Sequence, residues 1–237
     1  MAISKLDLPQ GVLAHSHANP QVLAEELAKT VAAALRQAIE TRGHATLVVS
    51  GGRSPVAFFE ALAQQPLPWP QVLVSLADER WVPVNHAGSN EALVRRHLLR
   101  GPAAAARFLG LYQVASNLQQ AAELADQALA ELPPIDVLVL GMGDDGHTAS
   151  LFPDSPNLAL ALQADCPRRV LPMQAPSAPA QRLSLTLPLL AGARLPLLAI
   201  QGPTKLTTLR AALAGAEVAS MPIRALLHSP LEIYWCP

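Results

Sequence analysis

Residues 138–153, LVLGMGDDGHTASLFP, run from an apolar stretch through three glycines and two aspartates to a histidine, His147. An imidazole just beyond a turn carrying Asp144 and Asp145 suits general-base chemistry. A carboxylate bonded to one ring nitrogen fixes the tautomer and stabilises the protonated ring. The same segment formally satisfies GxGxxG through Gly141, Gly143 and Gly146, and Asp165 lies about where the acidic ribose partner of a dinucleotide would stand. Two carboxylates inside the turn would repel a pyrophosphate at short range, which argues against a nicotinamide site. His147 is therefore the candidate base, oriented by Asp145 or a neighbouring carboxylate. Ser150 follows it by one turn of an expected helix, but no GxSxG elbow surrounds that serine, so a covalent nucleophile is not expected.

Three further segments carry groups that suit an anion. In SGGRSP, Ser50, Gly51, Gly52 and Ser54 lead from an apolar run into a helix, and such a turn can offer a nest of backbone N–H groups supported by the helix dipole. A tight turn that uses glycine for geometry alone is the alternative. In ADERWVP, Asp78, Glu79 and Arg80 at a strand end would place carboxylates and a guanidinium in one cleft, where arginine can bind a phosphate or carboxylate bidentately; a solvated charge cluster is the alternative. Arg182 opens an apolar run in QRLSLTLP, and Lys205 in GPTK falls in the first turn of a helix, where its charge opposes the dipole. That position is poor for stability and suits a phosphate. His15 and His17 are close together in a segment read as irregular, but no third ligand stands near them, and no metal site is expected. His44, His86, His97 and His228 stand alone and receive no role.

The elements that must position these groups follow from patterning. Short runs rich in Val, Leu and Ile alternate with longer stretches of helical period, which is the pattern of βα units around a buried parallel sheet. Strands are expected over 45–50, 71–77, 135–141, 168–173, 182–188, 195–202 and 231–235. A long amphipathic helix is expected over 19–43, with Asn19 before Pro20 as its cap and Gly43 as its stop, and further helices over 89–99, 116–132 and 203–215. Ligands in such sheets bind beyond the carboxyl ends of the strands, and the chemistry-bearing segments fall there.

With 51% hydrophobic residues in 237, the chain can bury a sizeable core, and no composition shift divides it, so one domain over 1–237 is expected. Seventeen Lys and Arg against 18 Asp and Glu leave a formal net charge of −1, so there is no general field to collect nucleic acid or an anionic membrane. Any phosphate must be met locally. The two cysteines, Cys166 and Cys236, are far apart and suit a reducing compartment. Without a signal-peptide pattern or a membrane-length apolar run, a cytoplasmic location is expected.

Taken in order, SGGRSP, ADERWVP, the Ser89–Asn90 pair, LGMGDDGHTASLFP, RLSLTLP and GPTK resemble the 6-phosphogluconolactonase family, part of a wider group that includes glucosamine-6-phosphate deaminase and ribose-5-phosphate isomerase. GMGDDGHTASLFP is the long, specific motif; the others are weak singly and strong only in their shared order. The resemblance implies a Rossmann-like α/β fold, with a mostly parallel sheet flanked by helices on both faces. It implies no cofactor, and hydrolysis of 6-phospho-D-glucono-1,5-lactone to 6-phosphogluconate in the oxidative pentose phosphate pathway. It makes His147 the base, puts Asp78 and Arg80 in the substrate cleft, and gives the phosphate to the Gly51–Gly52 loop with Arg182 and Lys205. The expected partner is a small sugar-phosphate lactone, with no nucleic acid and no membrane, and monomer and homodimer both remain open.

Two departures stand out: Ser54 replaces the usual threonine, and the segment before Arg182, PSAPAQ, lacks a lysine that family members often carry. A deaminase-like isomerase is the alternative enzyme, but the glutamate that completes the deaminase's relay to its histidine is replaced here by Phe152. A non-catalytic sugar-phosphate sensor is a third reading. It would usually be joined to a DNA-binding module, for which the chain has neither spare length nor a basic segment.

Overall fold

Runs of consecutive apolar residues tolerate burial on both faces, and they form the centre of the molecule. The computed structural model describes residues 3–228 and 230–237. Its strands are β1 (Val12–Ser16), β2 (Ala45–Val49), β3 (Val72–Leu76), β4 (Asp78–Arg80), β5 (Arg107–Leu109), β6 (Val137–Leu140), β7 (Val170–Gln174), β8 (Gln181–Leu185), β9 (Leu195–Gln201) and β10 (Leu231–Cys236). Seven of them make one sheet in the order β1-β10-β9-β6-β2-β3-β5, with every pairing parallel. All residues of β2 and β6 are buried, as strands covered on both faces require.

Helices flank this sheet: α1 (Pro20–Arg42), α2 (Val56–Ala63), α3 (Asn90–His97), α4 (Leu118–Ala128), α5 (Leu158–Ala161), α6 (Leu187–Ala191) and α7 (Pro203–Ala214). The long helix ends where its sequence signals place it. The Asn19 side chain accepts from the Val22 N–H, and Gly43 takes the left-handed conformation at φ +79°. Its buried stripe, Leu23, Leu27, Val31 and Leu35, recurs every four residues and lies against the sheet. Side-chain caps from Ser89 and Asn117 open α3 and α4. Among the described residues, no helix is long and apolar enough to cross a membrane.

Three expectations need correction. The runs at 168–173 and 182–188 are strands, but they lie outside the parallel sheet: β7 and β8 form an antiparallel hairpin, and β4 pairs antiparallel with β8 to complete a second, three-stranded sheet. The segment joining β7 to β8 is too short for the crossover that a parallel pair needs. The region of His15 is not irregular. It is β1, an edge strand paired with β10, and its mixed polar character reflects its half-exposed position. Finally, residues 147–151 do not form the expected helix. Ala149 has φ +49° and Thr148 bridges to Leu151, so the chain turns sharply there.

The strand order reverses between β2 and β6. From β2 the chain continues outward through β3 and β5, whereas β6 leads the other way through β9 and β10. The carboxyl ends of these two neighbours open a crevice at a topological switch point, the preferred ligand site of open α/β sheets.

Candidate active site

The loop after β2, residues 50–55, and the turn after β6, residues 141–149, form two walls of that crevice. The Ser50 N–H donates to the Val139 carbonyl at 2.9 Å, which fixes one against the other. The second sheet supplies a third wall through Asp78, Arg80 and Arg182, and the first turn of α7 adds Lys205. The resulting cavity, about 260 Å³, is lined by Ser50, Gly51, Gly52, Ser54, Asp78, Arg80, His147, Arg182 and Lys205. Asp145 stands directly behind His147. Residues from five separate segments of the chain thus converge on one cleft.

The His147 imidazole is held from one side. Its Nδ1 lies 2.5 Å from Asp145 Oδ1, and the same oxygen accepts the His147 backbone N–H at 3.0 Å. With a proton on Nδ1 shared with the carboxylate, the Nε2 lone pair is left as the basic position. The turn closes through the Gly143 N–H, which donates to the His147 carbonyl at 2.8 Å. The ring lies so close over Gly143 that a Cβ at that position would come within 2.1 Å of Nδ1 and 2.5 Å of Asp145 Oδ1. Gly143→Ala is therefore expected to displace the imidazole and to lower kcat about 10²-fold, the cost of misplacing a reacting group by roughly 1 Å. Full kcat in the folded variant would contradict this packing.

Partial burial pushes the Asp145 carboxyl up, but the His147 backbone N–H, the charge of the imidazole and its ring N–H together hold it below the ordinary carboxylate value. A carboxyl lowered in the fold stabilises it above the ordinary carboxylate range, and that contribution is lost as pH falls through the lower, folded value. The thermal midpoint of Asp145→Asn should accordingly lie below that of the parent protein at neutral pH and converge with it in acid. Melting curves from about pH 7 to about pH 3 check this, and a gap that does not narrow across that window would refute it.

β4 and β8 set Arg80 directly opposite Arg182. Like charges facing each other across an antiparallel pair are unfavourable unless something else neutralises them. Arg182 is only 8% exposed; burial pulls its pKa down, nearby Asp78 supports the charge and Arg80 opposes it. Its Nε donates to the Pro179 carbonyl at 2.7 Å, and the guanidinium carbon stands 5.7 Å from the centre of the Phe152 ring. Arg80 donates through Nη1 to the Gly88 carbonyl at 2.7 Å, while its buried Nε has no partner among the described residues. Three cationic side chains against one carboxylate line the cleft of a chain whose formal net charge is −1, so the positive field is local.

Glu79 does not share this cleft. Successive side chains of a strand point to opposite faces, and Glu79 turns away to accept the Arg80, Asn90 and Glu91 backbone N–H groups at 2.8, 2.6 and 2.7 Å, with the Ser89 hydroxyl at 3.1 Å. Burial pushes its carboxyl up, and those donors pull it part of the way back. It fastens the start of α3 to β4.

That fastening brings in a residue that the sequence reading uses only within the Ser89–Asn90 pair. Asn90 is 1% exposed; its Nδ2 donates to the Asp78 carbonyl at 2.8 Å, and its Oδ1 is buried against Gly51 without a partner among the described residues. A Cβ on Gly51 would come within 1.9 Å of that oxygen, and Gly52 has φ +105°, so the paired glycines are required by geometry as well as suited to an anion. Ser150 was also missed as a contact. It is fully buried, and its hydroxyl donates to Asp78 Oδ2 at 2.6 Å. Asp78 thus links the loop after β2, through Asn90, to the turn after β6, through Ser150.

Phe152 packs on the imidazole itself, with ring centroids 4.3 Å apart and planes tilted by 40°. Lys205 Nζ donates to Asp144 Oδ1 at 2.7 Å. Among the described residues, no group of three His, Cys, Asp or Glu side chains is placed to hold a metal ion.

Comparison with known proteins shows the family of the chain. A family model described as glucosamine-6-phosphate isomerases/6-phosphogluconolactonase matches residues 18–235. A 6-phosphogluconolactonase of Pseudomonas putida is 63% identical over 237 residues, covering 100% of this chain and 98% of that protein. One from Pseudomonas aeruginosa is 61% identical, covering 100% of both. The crystal structure of a 6-phosphogluconolactonase from Shewanella baltica superposes with a TM-score of 0.93 at 38% identity, over 97% of this chain and 100% of that one. A monomeric glucosamine-6-phosphate deaminase also superposes, with a TM-score of 0.77 at 18% identity over 94% of this chain and 97% of its own, a likeness of fold alone.

Proposed function

Since the chain belongs to the glucosamine-6-phosphate isomerase/6-phosphogluconolactonase family, we propose that its cleft hydrolyses 6-phospho-D-glucono-1,5-lactone to 6-phosphogluconate in the oxidative pentose phosphate pathway. The observation that carries this reading is the placement of an Asp145-held imidazole in the same cleft as the facing arginines and Lys205. Lactone hydrolysis needs one base for water and one donor for the departing ring oxygen, and a single histidine supplies both.

Neutral His147 takes a proton through Nε2 from a water that attacks C1 of the lactone. The C1–O bond of the ring then breaks, the imidazolium returns the proton to the departing ring oxygen, and the product is a carboxylic acid with a free hydroxyl, which ionises to the carboxylate by releasing its proton to water. Asp145 keeps the ring in the working tautomer and steadies its positive form. The Arg80 guanidinium or the backbone N–H groups of the glycine loops supply stabilisation for the oxyanion. Ser50, Gly51, Gly52 and Ser54 with Arg182 and Lys205 hold the phosphate. Asp78, bonded to Ser150 and to Asn90, aligns the two loops that carry these groups.

Phe152 favours hydrolysis over aldose–ketose chemistry. The position at which the deaminase carries its relay glutamate presents an apolar ring to the imidazole, so that position adds no second carboxylate to the one Asp145 supplies. The deciding experiment supplies purified protein with freshly generated 6-phospho lactone and couples the product to its dehydrogenase. Turnover that needs no metal or cofactor beyond those of the coupling dehydrogenase, and no ammonia from glucosamine 6-phosphate, is the expected result. Ammonia release, or binding of the lactone without turnover, would defeat the reading.

A further inference from the structure

The ion pair between Lys205 and Asp144 is not explained by the chemistry above. Lys205 lines the cleft at the first turn of α7, and its Nζ is already engaged, 2.7 Å from Asp144 Oδ1. The two partners differ in exposure: the Lys205 side chain is 27% exposed and that of Asp144 is 70% exposed. The turn that carries Asp144 is held through its backbone, by the Gly143 N–H on the His147 carbonyl and the Ile223 N–H on the Gly146 carbonyl, while the Thr208 hydroxyl lies 3.2 Å from the Thr204 carbonyl and 3.4 Å from that of Asp144. The carboxylate can therefore swing into solvent without moving the turn that holds His147. An ion pair this open is readily exchanged for another anion.

We propose that Asp144 is an anionic stand-in for the substrate phosphate on Lys205, and that it sets the balance between capture of the phosphorylated lactone and release of the product. The proposal rests on the reading of Lys205 as a phosphate ligand. Hydrolysis converts an uncharged lactone group into a carboxylate and releases a proton, so the product carries one more negative charge than the substrate. Asp144 stands beside Lys205 at the cleft, and its repulsion bears harder on the more highly charged species. As the product leaves, the Asp144 carboxylate returns to Lys205 and neutralises it.

The test is Asp144→Asn, with Asp144→Ala as a second variant, each measured by steady-state kinetics on the 6-phospho lactone and by calorimetric titration with 6-phosphogluconate and inorganic phosphate. Removal of the competing charge is expected to lower KM about 3- to 10-fold and to tighten product binding by at least as much, both differences shrinking as salt rises. Unchanged or weakened affinity for substrate and product in both variants overturns the proposal. So does weakened affinity accompanied by a lower thermal midpoint, which would make the pair a structural tie between the turn and α7. Failure of the parent protein to hydrolyse the lactone would instead defeat the functional reading, whereas the titrations report on Asp144 independently of turnover.

Discussion

His147→Ala is expected to lower kcat by about 10²- to 10⁴-fold, the usual worth of a positioned general base. The imidazole is partly exposed, and the contacts that hold its turn do not depend on it. The Gly143 N–H bonds to the His147 main-chain carbonyl, and the Ile223 N–H bonds to that of Gly146. The fold should therefore survive the change with a small loss of packing against Phe152. The loss should appear in kcat on phosphorylated and unphosphorylated lactones alike, because the base serves the reacting carbonyl and not the remote phosphate. Near-parental turnover in a folded variant would remove His147 from the chemistry. A loss confined to the phosphorylated substrate would move it to the phosphate.

Arg182→Met is expected to do the opposite, discriminating sharply between those substrates. Water attacks δ-lactones readily, so the enzyme's advantage depends on positioning, and a dianionic group remote from C1 is a strong handle for it. Loss of one partner of a desolvated charge pair costs about 2–5 kcal/mol, or about 30- to 5,000-fold in kcat/KM. Arg182 is buried and faces Arg80 across β4 and β8, an arrangement unfavourable without an anion, so its removal should cost the free protein little stability. Lys205→Ala should lose less than Arg182→Met, because Lys205 is more exposed and already shares its charge with Asp144. Kinetics on the 6-phospho lactone and on gluconolactone, with melting curves for both variants, check these expectations. Equal losses on the two lactones would assign Arg182 to the reacting centre or to the fold.

The groups proposed to do the chemistry were legible because their signals are local. A glycine turn with two aspartates before a histidine, a glycine pair leading into a helix and a lysine in a first helical turn each fall just after an apolar run, and strand ends are where an α/β sheet binds ligands. The same locality identified the cap at Asn19. The hairpin of β7 and β8 was also within reach, since the short connection between them forbids a parallel crossover. β1 was not, because a short, half-exposed strand carrying histidine has no apolar run of its own and exists by pairing with β10.

What the sequence alone determined is therefore which residues could act and at which strand ends they stand; how they face one another was decided by tertiary structure. Arg80 meets Arg182, and Glu79 turns away from the cleft, through the register of β4 on β8, where a slip of one residue would reverse every side chain. Asn90 and Ser150 reach Asp78 from two other segments, and Phe152 meets the imidazole only because the chain turns sharply at Ala149 where a helix was expected. Contacts of this kind depend on pairings between segments distant in the chain, whose closure is stabilised by the whole core, and no local pattern of residues encodes them.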